Sequence, residues 1–184
     1  MQSSQNPPIL SGNSYILNCK EKAFAFATYF ADQCKPLNNN STLPQFRKLT
    51  ESSLGSINIV SEEITSLIRS LKKGKASGPD SISAHMLLIC DDTLTLPLKL
   101  IFEQILSVGK YPDAWKIANV TPIFKKGDKQ LVKNYRPISL LPICGKLFEK
   151  IVCNQMYDYF TRNSLITKNQ SGFISSDSTT NQLI

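Results

Sequence analysis

The sequence predicts an α+β chain in which amphipathic helices surround one basic β-hairpin. Three observations predict it. Apolar residues recur at helical spacing in five separate stretches. Two short strand-like runs, 118–124 and 136–141, bracket a Gly127-Asp128 turn. The formal net charge is +7, and residues 116–150 alone carry eight basic side chains against two acidic ones.

The elements follow in chain order. Residues 1–18, rich in Ser, Asn, Gln and Pro, read as a loose leader. Glu21 to Ala31 reads as a helix with Ala23, Phe26, Ala27 and Phe30 on one face. Pro36 and three asparagines end it, and residues 32–56 read as a linker, with a short extended piece at Ile57 to Val60. Ser61 is placed to cap the next helix, Glu62 and Glu63 suit its first turn, and Ile64, Leu67, Ile68 and Leu71 form its apolar stripe, with Gly74 as the stop. Residues 73–80 are a loop by composition. Ser83 is placed to cap a short helix through Cys90, and a longer helix is expected from about Thr93 to Val108, closed by Gly109, with Pro97 in its first turns. The two strands come next, their Pro122 and Pro137 pointing to edges or strand ends. A last helix is expected from Gly145 to Phe160, with Leu147, Phe148, Ile151, Val152, Met156 and Phe160 as its apolar side.

Composition narrows the function classes. With 41% hydrophobic residues in 184, the chain can bury a core and does not read as wholly disordered. It has no run of about eighteen apolar residues, so no membrane span is expected, and Met1 to Pro8 lacks the layout of a secretory signal. The five cysteines, at 19, 34, 90, 144 and 153, are odd in number and irregularly spaced, which fits reduced thiols in an intracellular protein better than a disulfide framework or a zinc site. His85 is the sole histidine and has no second metal ligand beside it. The concentrated positive charge suits a phosphate-rich partner, although a lysine-decorated solvated surface produces the same count.

Lys125 and Arg136 are the candidate chemistry. If the two strands pair, both side chains reach one space beside the ribbon, where a lysine supplies a point charge and an arginine a fork for phosphate oxygens. A basic hairpin with no ligand satisfies the same spacing.

Five segments, in order, then carry a resemblance. KKGKASGPDSI at 72–82 is similar to the K-x-x-G-P-D-x-I segment of reverse transcriptases from non-LTR, jockey-like retrotransposons. PDAWK at 112–116, VTPIFKKGD at 120–128 and NYRPISLLP at 134–142 resemble that family's next motifs. QSGF at 170–173, with DST at 177–179 and NQL at 181–183, resembles the stretch before its first catalytic strand. Residues 1–56 resemble the variable region ahead of the polymerase, and 57–184 a partial reverse transcriptase domain.

The resemblance implies a partial right-hand polymerase fold, helices plus a fingers β-hairpin, cut before the catalytic palm strands. It implies that Lys125 and Arg136 hold the triphosphate of an incoming deoxynucleotide. Lys126, Lys129 and Lys133 are then expected near template or nucleotide, and Lys72, Lys73 and Lys75 on the RNA backbone. The implied partners are an RNA template, a DNA primer, deoxynucleoside triphosphates and the missing palm and thumb, with no membrane. The intact enzyme is expected to use Mg2+ held by aspartates of downstream motifs; neither motif occurs in these 184 residues, so no cofactor is expected to be bound by this chain and it is expected to be inactive alone. Asp91-Asp92 imitates a catalytic pair but precedes the fingers motifs, and reads instead as a cap or first-turn acid. Two alternatives stay open: a non-catalytic basic module that binds nucleic acid, and the product of a decayed element. Loss of the palm predicts exposed apolar patches and marginal stability.

Overall fold

The computed structural model describes residues 7–35, 49–167 and 169–174. It is a mixed helix and strand structure with two small antiparallel hairpins, as an α+β chain requires. The elements are β1 (Ile9–Ser11), β2 (Ser14–Ile16), α1 (Cys19–Gln33), α2 (Ser61–Arg69), α3 (Ala84–Val108), β3 (Asn119–Phe124), β4 (Tyr135–Leu140) and α4 (Ile143–Arg162). Single 3₁₀ turns at Asp113–Trp115 and Val132–Asn134 precede β3 and β4.

Two apolar clusters hold these elements. The larger joins α2, α3 and α4 through Ile64, Ile68, Leu98, Phe102, Phe148 and Ile151. Phe102 is fully buried, and its ring lies 5.3 Å from that of Phe148 and 6.1 Å from that of Trp115. The smaller joins Ile9, Phe26, Phe30 and Tyr135, and so ties the first hairpin and α1 to β4.

Several expectations are corrected. Residues 9–16 are not a loose leader: they form a hairpin that buries Ile9 completely. Gly12, at φ +58°, supplies the left-handed turn. Strands of three residues are too short to show an alternating pattern, but the Gly12-Asn13 pair was a usable hairpin signal. On α1 only Phe26 and Phe30 are buried, with Tyr29 packed partly against the same cluster, while Ala23 and Ala27 face solvent. That helix starts at Asn18, whose Oδ1 accepts the backbone N–H of Lys20 at 2.8 Å. Ser61 does not cap α2; Val60 occupies the cap position and no side chain serves it. Ile57 to Val60 forms no strand. The amide of Gln155 satisfies it instead, accepting from Asn58 N–H at 2.9 Å and donating to Asn58 C=O at 2.7 Å.

The two helices expected between Ser83 and Gly109 are both present within α3, parted where expected by a kink at Asp91, whose backbone is not helical (φ +21°). Ser83 caps its start, accepting from Met86 N–H at 3.2 Å, and Gly109, at φ +67°, ends it. α4 begins two residues earlier than expected. Its Leu147, Phe148 and Ile151 are buried, whereas Met156 and Phe160, expected on the same apolar side, are exposed. The segments 175–176, 177–179 and 181–183 lie outside the described residues.

Candidate functional site

The β3–β4 ribbon sets the geometry. The strands pair antiparallel, with Asn119 opposite Leu140, Pro122 opposite Pro137, Ile123 opposite Arg136 and Phe124 opposite Tyr135. One step further, Lys125 N–H donates to Asn134 C=O at 2.8 Å. Hydrogen-bonded and non-hydrogen-bonded pairs alternate along such a ladder, so the two prolines fall in a non-hydrogen-bonded pair and their missing N–H groups cost nothing.

Successive side chains alternate faces. Phe124 and Tyr135 therefore share one face, and Lys125, Ile123 and Arg136 share the other. The first face is seated: the Tyr135 ring meets Phe26 edge-on at 4.9 Å and Phe124 at 5.5 Å. The second is open, with Lys125, Ile123, Arg136 and Ile138 all exposed. Lys125 and Arg136 stand on a diagonal, a spacing of about 7–8 Å in strand geometry that is within reach of long side chains.

The loop between the strands is built to hold its shape. Gly127 adopts φ +90°, and Asn134 Nδ2 donates to Asp128 C=O at 2.8 Å. Asp128 Oδ1 accepts Gln130 N–H at 2.9 Å, and Tyr135 OH donates to Lys129 C=O at 2.7 Å. Burial, and then the Asp128 charge, pushes the Tyr135 hydroxyl above its usual pKa and keeps it a donor. The first hairpin buttresses the loop, since Leu10 N–H donates to Gln130 C=O at 2.8 Å.

The remaining expected residues divide. Lys126 and Lys133 are exposed on the loop. Lys129 is not beside Lys125 and Arg136: its ammonium lies over the Phe124 ring, 5.5 Å from the centroid, toward the seated face. Lys72, Lys73 and Lys75 are exposed on the α2–α3 loop. Lys72 and Lys75 line a cleft whose far wall carries Lys146 and Lys150 of α4, two residues that the sequence reading passed over despite their helical i, i+4 spacing. Among the described residues none of these ten basic side chains forms a salt bridge with a carboxylate.

Gly78 anchors the α2–α3 loop. A Cβ built there would stand 2.5 Å from Pro142 N and 2.7 Å from Leu141 C, so only glycine lets the GPD turn rest against the β4–α4 junction.

No protein-family model matches the chain. Among curated proteins it is similar to the RNA-directed DNA polymerase from mobile element jockey of Drosophila melanogaster, 34% identical over 170 residues and 89% of this chain. The jockey polymerase of Drosophila funebris is 37% identical over 66% of the chain, and the probable RNA-directed DNA polymerase from transposon BS of Drosophila melanogaster is 35% identical over 66%. The chain is homologous to a segment of the RNA-directed DNA polymerases of non-LTR retrotransposons. It spans 19%, 13% and 14% of the length of those three relatives.

In a homologue of such polymerases an adjacent carboxylate pair invites a metal reading, and Asp91-Asp92 does not fit one. Arg69 Nε donates to Asp91 Oδ2 at 2.8 Å and its Nη2 to Asp92 Oδ1 at 2.9 Å. The pair thus ties α2 to the bend of α3. Asp91 Oδ1 is buried without a partner, while Asp92 directly follows the kink and stands in the first turn of the second half of α3, as the first-turn-acid reading expects. Among the described residues no group of three or more His, Cys, Asp or Glu side chains converges. His85 is exposed on α3, and the five cysteines are free thiols, with only Cys144 buried. Among the described residues no helix is long and apolar enough to cross a membrane.

Proposed function

We propose that this chain is the fingers segment of a non-LTR retrotransposon RNA-directed DNA polymerase, holding the triphosphate of an incoming deoxynucleotide between Lys125 and Arg136. What supports the reading is their placement on one open face of a paired ribbon whose other face is seated on Phe26. Arg136 supplies a bidentate grip and Lys125 a movable charge. Ile123 and Ile138 offer that face an apolar surface beside the cations. Lys126 and Lys133 serve template or nucleotide from the loop, and Lys72, Lys73 and Lys75 the RNA backbone. Lys129 serves the same loop once it leaves Phe124.

Residues 57–184 form the polymerase part of this reading, within a partial right-hand fold. The preceding helix then acts as the seat of the ribbon, through Phe26. Among the described residues no three His, Cys, Asp or Glu side chains converge to hold the magnesium pair of polymerase chemistry, and this reading gives the chain substrate binding without turnover.

The test is equilibrium binding of a fluorescent deoxynucleoside triphosphate and its monophosphate to the 184-residue chain. The triphosphate binds more tightly, and Lys125→Ala or Arg136→Ala removes that preference. Equal affinity for both ligands in the unaltered chain refutes the clamp. Primer extension by the purified chain with magnesium yields no product; templated synthesis would overturn the assignment of inactivity.

A further inference from the structure

A groove of about 820 Å³ runs along α1, walled on its other side by the first hairpin. Ile9, Leu10, Ile16, Ala25 and Tyr29 give it an apolar lining. Four more lining residues, Lys20, Phe24, Thr28 and Asp32, are spaced by four along α1 and form one ridge. All four are exposed, and Phe24 keeps 73% of its surface open beside the apolar lining. The ridge is self-complementary. It carries a cation at one end and a carboxylate at the other, with a large ring and a small side chain between them. Positions 20 and 32 are centred on residue 26, and so are positions 24 and 28. A two-fold axis at that point therefore exchanges cation with carboxylate and ring with hollow.

We propose that a second copy of this chain docks in the groove, α1 antiparallel to α1, with Lys20 and Asp32 paired at both ends. Each Phe24 ring then enters the other copy's groove beside the small Ala25 and Thr28. Residue 20 lies six residues from the midpoint, about 9 Å along the axis, and packed helices stand about 8–10 Å apart, so a lysine side chain spans the gap. Asp32 pairs with Lys35 at 2.7 Å within one copy, but both side chains are largely exposed and such a pair is worth little. Each end of the dimer would bring together Lys20 and Glu21 of one copy and Asp32 and Lys35 of the other, so the charges balance. Nucleic acid is disfavoured because Glu21 and Asp32 offset Lys20 on the rim. A small ligand is disfavoured because, among the described residues, no buried polar side chain without a partner faces the groove to orient it; Asp91 lies elsewhere. The proposal does not depend on the nucleotide reading.

Sedimentation velocity on the 184-residue chain over a concentration series reads self-association, with circular dichroism melts to check folding. The unaltered chain is expected to dimerise as its concentration rises. Lys20→Glu and Asp32→Lys each turn both end contacts into like-charge pairs, and each should weaken the dimer about tenfold. Mixed together, these two variants should form a heterodimer about as tight as the unaltered dimer, since every end contact then joins opposite charges. The swap Lys20→Asp/Asp32→Lys within one chain should also restore self-association. Phe24→Ala should weaken the dimer at an unchanged Tm, because the ring is exposed in the single copy. A chain that stays monomeric at every concentration overturns the proposal. So does a dimer indifferent to Lys20→Glu, Asp32→Lys and Phe24→Ala. Single variants that are monomeric and stay so when mixed overturn the antiparallel pairing. A dimer lost only in Met156→Ser/Phe160→Ser would move the contact to the exposed end of α4 and overturn the proposal too.

Discussion

Lys125 and Arg136 project from the same face of one antiparallel ribbon, because Arg136 stands opposite Ile123 and Lys125 lies two residues beyond it. A slip of one residue in the register would send them to opposite faces. The convergence therefore depends on the ladder, and the ladder depends on what seats its other side.

The first prediction concerns the fork. In a polymerase completed with a downstream catalytic segment, Arg136→Lys keeps the charge and loses the second hydrogen bond. The KM for deoxynucleotide should rise about tenfold, the scale of one charge-assisted hydrogen bond. Steady-state kinetics read it, and an unchanged KM would mean that Arg136 does not grip phosphate.

The second concerns the seat. Phe26→Ala removes the ring that meets Tyr135 at 4.9 Å and opens a cavity worth about 3–5 kcal/mol. Hydrogen exchange should accelerate in β3 and β4 while the Phe102 core keeps its protection, since the two clusters are separate. Uniform acceleration would show instead that the chain melts as one unit.

The third concerns Gly78. Alanine there drives a Cβ into the backbone of Leu141 and Pro142, where no side chain can yield. A loss of about 2–3 kcal/mol, or roughly 5–10 °C in Tm, is expected. A melt within 2 °C of the unaltered chain, on the same scale, would contradict the contact.

The fourth concerns pH. Tyr111 OH donates to Glu149 Oε1 at 2.9 Å, and burial first, then Glu149, pushes its pKa well above 10.0. The folded state thus holds this proton longer than the unfolded one. The stabilisation is complete below about pH 10 and is lost as the pH climbs toward the raised value. Denaturation in urea between pH 9 and 11.5 should show a falling midpoint, and Tyr111→Phe should flatten that fall. Parallel slopes for both proteins would exclude Tyr111 as the titrating group.

The fifth concerns Asp91 and Asp92. Both are engaged by Arg69, so Asp91→Asn/Asp92→Asn in the completed polymerase should leave kcat within about twofold. A loss of several orders of magnitude would return the pair to the chemistry.

Sequence by itself determined that α2 and α4 form, the stop at Gly109, the two strands and the family, because periodicity, turn chemistry and ordered motifs are local properties of the chain; it misplaced the end of α2, which stops at Arg69 with Ser70 as its C-cap and not at Gly74. It also brought Lys125 and Arg136 together conditionally, since a pleated strand has a fixed period of two. Tertiary structure alone decided the rest. Ile9 is buried only because Phe26, Phe30 and Tyr135 close over it, and no composition rule for residues 1–18 reveals that. Lys146 and Lys150 line one cleft with Lys72 and Lys75 only because the Gly78 turn rests against the Leu141–Pro142 backbone. Asp91 and Asp92 were settled by Arg69, 22 and 23 residues away, because an ion pair depends on where folding leaves its partner.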